Sequence, residues 1–135
     1  MTTERIEEYL EVLDDIIEIK GYAKVKDIAA NLSISPPSVT EMLQKLDEKG
    51  FINYEKYSGV TLTNKGKELA SKLRKKHKTL KQFFEFIGVP QDIADEDACR
   101  IEHVINKITL NQLSRFLLFM QQSKIHEVWK ENNNK

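Results

Sequence analysis

The chain has 135 residues, 40% hydrophobic and 31% charged, with 21 basic against 21 acidic side chains and a formal net charge of zero, which fits one globular domain or two small ones sharing a core. No run approaches the roughly 18 apolar residues that a membrane helix needs, the start MTTERIEEYL lacks the basic and apolar segments of a signal peptide, and a single cysteine excludes an internal disulfide, so a soluble protein of the reducing cytoplasm is expected. Charge is unevenly spread: residues 1–19 hold one basic and seven acidic side chains, 20–78 hold thirteen and six, and 79–135 hold seven and eight, so the middle block is basic and different segments should face different partners.

Ile6, Tyr9, Leu10, Leu13, Ile16 and Ile17 recur at helical spacing, which predicts an amphipathic helix over 4–20 ending at Gly21. Glu4, Glu8, Glu11 and Asp15 fall on the face opposite that stripe, usually a solvated one. Val25, Ile28, Ala29 and Leu32 make a short second helix, and SIS at 33–35 a tight connection. A third helix is opened by Ser35 as cap, with Pro36 and Pro37 in the first turn where a missing N–H is tolerated; it should bury Val39, Met42, Leu43 and Leu46 and end at Gly50.

Two short helices joined by such a turn make a helix-turn-helix. FINYEKY and VTLT then alternate in the strand manner about a turn at Ser58-Gly59, and a hairpin after a helix-turn-helix makes a winged helix. A long helix is predicted from Asn64 to Gly88, its basic stretch Lys72 to Lys78 marking a junction. Pro90 restarts the chain, DEDACRIEHV at 95–104 forms another helix, and TLNQ at 109–112 is a capping-box pattern for a last one. Leu110, Leu113, Phe116, Leu117 and Met120 make that helix more apolar than monomer closure requires, so part of it is expected to form a dimer interface. KENNNK at the end is expected to be disordered.

The second helix of a helix-turn-helix enters the major groove. Here it presents Ser35, Pro37, Ser38, Thr40, Glu41, Gln44 and Lys45. None specifies a base strongly, although Gln44 has the right groups for adenine. Phosphate contacts from Lys24, Lys26, Lys45, Lys56 and Lys65 and DNA shape should therefore carry much of the binding.

Within DEDACRIEHV, Cys99, Glu102 and His103 stand at i, i+3 and i+4, one helical face. A thiol, a carboxylate and an imidazole together are a ligand set for a transition metal. The spacing suits equally a half-buried Cys beside a surface Glu-His pair. A metal site would need ligands from elsewhere, for which Glu8, Glu11 and His77 are candidates.

Nearly the whole chain, from IEEYLE through GYAKVKDIAANLSISPPSVTEMLQKLDEKGFINYEKYSGVTLTNKG to ACRIEHV, resembles the diphtheria toxin repressor and manganese transport regulator family of metal-dependent repressors. The resemblance implies a mostly α fold with a small β-hairpin wing: a winged helix-turn-helix DNA-binding domain over 1–71, and a helical dimerisation and metal-binding domain over 72–135. It implies metal ligands at Glu8, Glu11, His77, Cys99, Glu102 and His103, with one ion or two. The set is a hybrid. Cys99 follows the iron branch, whereas Glu8, Glu11 and His77 follow the manganese branch, and Lys81 and Asp95 replace the Glu and His of the iron branch's ancillary site. The short chain implies a form without that branch's SH3-like domain.

The implied function is a homodimeric repressor of metal uptake or homeostasis that binds palindromic double-stranded operator DNA. Fe(II) or Mn(II) would act as co-repressor bridging the two domains, and Co(II), Ni(II) or Zn(II) would substitute in the test tube. No membrane, organic cofactor or enzymatic step is expected. A non-haem di-metal enzyme would need Glu-x-x-His on two helices, and Arg74, Arg100 and Ser123 precede His77, His103 and His126 instead. The alternative is a winged-helix regulator sensing a small organic ligand or oxidation at Cys99.

Overall fold

The computed structural model describes residues 3–55 and 58–134. The chain divides into two compact units, Met1–Leu73 and Arg74–Lys135. No helix among the described residues is long and apolar enough to cross a membrane.

The first unit begins with α1 (Thr3–Lys20), α2 (Val25–Leu32) and α3 (Pro36–Glu48), followed by strands β1 (Ile52–Glu55) and β2 (Gly59–Leu62) and the start of α4 (Asn64–Phe86). The apolar stripes meet in one core: Leu10, Leu13, Ile28, Val39, Leu43 and Leu46 are fully buried. Each contributes about 1.5–3 kcal/mol by leaving water. Helix α1 stops at Gly21, whose φ of 86° lets its N–H reach Ile17 O at 2.7 Å. Ser33 ends α2 in the left-handed region at φ 56°, rare for a non-glycine residue. Ser35 caps α3 as expected, its side chain accepting from Ser38 N–H.

The hairpin is antiparallel with Ile52 opposite Leu62 and Glu55 opposite Gly59. Two expectations change here. Only Ile52–Glu55 of FINYEKY is strand among the described residues, and Gly59 is the first residue of β2 rather than a turn residue. Val60 also exchanges two backbone hydrogen bonds with Ala23, at 2.8 and 2.9 Å, which ties the wing to the segment before α2. Thr63 joins wing to helix: its hydroxyl donates to Gly50 O at 2.6 Å and accepts from Gly66 N–H at 3.2 Å.

The second unit contains the rest of α4, then α5 (Gln91–Ile101), α6 (Lys107–Gln121) and α7 (Ile125–Asn133). Ala94, Ala98 and Glu102, spaced by four, form a fully buried line. Phe83 packs edge-on to Phe84 and tilted against Phe116, while the His126 ring stacks on Phe86 at 4.4 Å.

Four boundaries differ from the sequence reading. Helix α4 ends at Phe86 rather than Gly88. Helix α5 ends at Ile101, so Glu102 and His103 lie in the turn that follows. Helix α6 begins at Lys107 because the Asn106 side chain accepts from Ile108 N–H at 2.8 Å, which leaves Thr109 inside the first turn instead of at the cap. Residues 125–133 form a helix that takes in Lys130 to Asn133 of the end expected to be disordered; Lys135 lies outside the described residues.

Candidate metal centre and nucleic-acid interface

In the first unit, α3 follows α2 across the Ser33 turn and presents Ser35, Pro37, Ser38, Glu41, Gln44 and Lys45 to solvent, with Thr40 half-buried. The hydroxyls are partly engaged. Ser35 Oγ and Ser38 Oγ stand 2.8 Å apart, and Thr40 Oγ1 donates to Pro36 O at 3.1 Å. Glu41 and Lys45 form an exposed i, i+4 pair at 3.7 Å, too solvated to add much stability.

Lys24 and Lys26 are exposed at the start of α2, with Lys24 Nζ 5.7 Å from the Tyr22 ring. Lys65 is tethered: its ammonium donates to Lys49 O at 2.8 Å and lies 4.4 Å over the Phe51 ring. Lys56 lies outside the described residues. Surface cations beside an exposed helix suit a polyanion.

On α1, Glu8 is exposed and paired with Arg5 at 3.0 Å, while Glu11 is half-buried rather than on a fully solvated face. Glu7, which the sequence did not single out, is buried at 6% exposure. In the second unit, His77 on α4 gathers the remaining candidates. Its Nδ1 lies 2.9 Å from Glu102 Oε2 and 3.7 Å from Cys99 Sγ, and its Nε2 lies 2.7 Å from Asp95 Oδ1. Glu102 is fully buried between two imidazoles, its other oxygen 3.4 Å from His103 Nε2.

A buried carboxylate requires charge or hydrogen-bonding compensation. Donor atoms around one ion, bonded at about 2.0–2.3 Å, lie roughly 3–4 Å apart. His77 Nδ1 lies at about such a distance from Glu102 Oε2 and from Cys99 Sγ, and His77, Asp95 and Cys99 offer donors within 4.8 Å of one another.

Asp95 is the residue that sequence reasoning passed over as a departure from a family pattern. It stands four residues before Cys99 on the same helical face, a signal the spacing did contain. Lys81 Nζ approaches the same Oδ1 at 3.7 Å. The His77 hydrogen bond holds the Asp95 carboxyl below its ordinary range, outweighing the opposing effect of burial, and the Lys81 charge adds to it.

Residues 1–60 match the family model of the iron dependent repressor N-terminal DNA binding domain, and residues 63–128 that of the iron dependent repressor metal binding and dimerisation domain. The HTH-type transcriptional regulator MntR of Bacillus pumilus (strain SAFR-032) is 41% identical over 123 residues, covering 91% of this chain and 85% of that protein. Its counterpart from Bacillus subtilis (strain 168) is 39% identical over 122 residues, covering 90% and 86%. Among solved structures, the manganese regulator SloR superposes with a TM-score of 0.71 at 32% identity, over 88% of this chain and 55% of that one. The metal-dependent transcriptional regulator MtsR gives 0.76 at 28%, over 87% and 55%. The chain thus spans about half the length of those two solved chains and most of the two Bacillus proteins.

Proposed function

The chain belongs to the iron dependent repressor family of metal-dependent transcriptional regulators, and from that premise we propose that it represses genes of metal uptake or homeostasis with Fe(II) or Mn(II) as co-repressor. The observation that carries the reading is the convergence of Glu102 Oε2 and Cys99 Sγ on His77 Nδ1, at 2.9 and 3.7 Å. Glu8, Glu11 and His103 complete the ligand set. Residues 1–71 bind DNA, and residues 72–135 dimerise and hold the metal.

A divalent cation supplies the positive charge that lets this anionic set gather. Without it, Glu8, Glu11, Cys99 and Glu102 repel one another and the two domains are loosely coupled. Ligands drawn from both domains then restrict their relative motion, which lowers the ordering cost of binding DNA. In a homodimer, two recognition helices held at fixed spacing select a palindromic operator.

Carboxylate oxygens suit Mn(II) and Fe(II), and the thiolate of Cys99 raises affinity for Fe(II) and later ions, with Zn(II), Co(II) and Ni(II) binding in the test tube. This reading needs no organic cofactor and no enzymatic step. A reducing cytoplasm would keep Cys99 a thiol.

The test is binding of a palindromic operator duplex, without oxygen, at buffered free concentrations of each ion. Fe(II) or Mn(II) should raise operator affinity by about 5- to 150-fold. Equal binding with and without metal, together with a change on oxidation of Cys99, would replace this reading with that of an oxidation sensor.

A further inference from the structure

Ala23 is fully buried and locked to the wing: its N–H donates to Val60 O at 2.9 Å, and its carbonyl accepts from Val60 N–H at 2.8 Å. Tyr22 and Lys24 flank it. Residues two apart on an extended segment share a face, and Lys24 has extended backbone at φ −107° and ψ 152°. Both flanking side chains are exposed, and the Lys24 ammonium lies 5.7 Å from the centre of the Tyr22 ring. That is within reach of a cation–π attraction.

The same ring meets the wing. Gly59, the first residue of β2, has a φ of 95°, and a Cβ there would stand 2.8 Å from Tyr22 Cδ2 and 3.2 Å from Ala23 O. Only glycine lets the ring approach the strand this closely. Glu55 pairs with Gly59 across the hairpin and lines the same cleft as Lys24. A lysine free to rotate would be able to turn to that carboxylate and spend its charge within the protein.

We propose that Tyr22 is a positioning residue for the DNA interface: its ring, seated against Gly59, holds the Lys24 ammonium beside the wing, ready for a DNA phosphate. A lysine already ordered gives up less side-chain freedom on binding. The ring acts through the lysine, and the tyrosine hydroxyl has no part in it.

The inference rests on Lys24 meeting a phosphate, and the test keeps the two apart. The readout is fluorescence anisotropy of a mixed-sequence DNA duplex with the intact, metal-free chain across a salt series, with a thermal melt of each variant beside it. Lys24→Ala should reduce the salt slope by about one. Tyr22→Ala should weaken binding by about 3- to 10-fold, the scale of ordering one long side chain. Tyr22→Phe keeps the ring and should match wild type, whereas Tyr22→Leu fills the space without a ring quadrupole and should bind as Tyr22→Ala does. The Phe and Leu variants both occupy the site, so their contrast survives even if the alanine variant is unstable. In a Lys24→Ala background, Tyr22→Ala should cost nothing further.

Wild-type affinity in Tyr22→Ala or in Tyr22→Leu would overturn the proposal. A loss in Tyr22→Phe would overturn it too, because the hydroxyl would then be the DNA contact. A Tyr22→Ala loss that persisted in full beside Lys24→Ala would leave Tyr22 a structural residue of the wing and sink the positioning role. An unchanged salt slope for Lys24→Ala would overturn the phosphate reading of that lysine and this inference with it.

Discussion

Cys99 Sγ stands 3.7 Å from His77 Nδ1, the same nitrogen that Glu102 Oε2 approaches at 2.9 Å. The sulfur is the one soft donor in an otherwise oxygen and nitrogen set, so it should bias the site toward later ions. Replacing it with Cys99→Glu should shift activation of operator binding toward Mn(II) and away from Co(II) and Ni(II). Anisotropy titrations across the metal series measure this, and superimposable profiles for the two proteins would remove Cys99 from the ligand set.

The lysines divide into two kinds. Lys24 and Lys26 are exposed on the first unit, and replacing either with Ala should weaken specific and non-specific DNA binding alike and reduce the salt slope by about one. Lys65 is held by Lys49 O and the Phe51 ring. Lys65→Ala should also lower stability, by about 1–2 kcal/mol for the lost charged hydrogen bond and ring contact. Denaturant melts beside the binding curves distinguish the cases; a Lys65→Ala protein as stable as wild type would make that lysine a DNA contact alone.

Gly66 in the first turn of α4 lies against the Phe51 backbone so closely that a Cβ there would collide with the Phe51 carbonyl oxygen. The obstacle is a backbone carbonyl, so no change of rotamer absorbs the clash. Gly66→Ala should therefore destabilise the first unit by at least the 1–3 kcal/mol typical of overpacking, despite alanine's higher helix propensity. A melting temperature equal to or above wild type would show that the Phe51 backbone and α4 can separate at little cost.

Much of this was readable in the residues. The buried stripe of α1 and the Ser35-Pro36-Pro37 start of α3 follow from periodicity and cap chemistry alone, which act within one turn of helix. Helix α7 escaped because its apolar stripe, Ile125, Val128 and Trp129, covers little more than one turn and runs into polar KENNN without a stop signal. The start of α6 was misplaced because TLNQ fits a capping box, whereas in the structure the Asn106 side chain makes the cap bond three residues earlier. At the candidate site, Cys99 and Glu102 were linked by spacing. The placement of Glu102 and Asp95 against opposite nitrogens of His77 depends on the packing of α4 beside α5, which no local pattern encodes.

Glu11 tests the coupling between domains. It lies on α1 of the first unit and is half-buried, and removing a negative charge near DNA should, by charge alone, leave operator affinity level or slightly raise it. The ligand role predicts the reverse. Glu11→Gln should cut the metal-dependent gain in operator affinity while metal-free, non-specific binding stays level, and by linkage operator DNA should then tighten metal binding less than in wild type. If Glu11→Gln kept the full gain, metal would act on dimer stability alone.

Helix α6 leaves Phe116, Leu118 and Phe119 52%, 56% and 63% exposed, a large apolar surface for one short helix. The second unit matches a dimerisation domain, and these side chains are the natural anchors. Phe119→Lys should raise the dimer dissociation constant by about 30-fold or more, a loss of some 2 kcal/mol for a buried aromatic hot spot. Sedimentation equilibrium reads this directly. An unchanged dimer would assign the interface to another face.

The chain carries one sulfhydryl, and that sulfhydryl is exposed at Cys99. Every maleimide or iodoacetamide molecule that couples to the intact protein must therefore report from the candidate metal centre, with no competing attachment point to engineer away. Alkylation kinetics become an occupancy gauge: an ion that engages the sulfur should protect it, whereas one held only by oxygen and nitrogen should leave it reactive. A single mass-spectrometric time course, repeated for each ion on unlabelled wild-type protein, would rank metals by how much they use the thiolate.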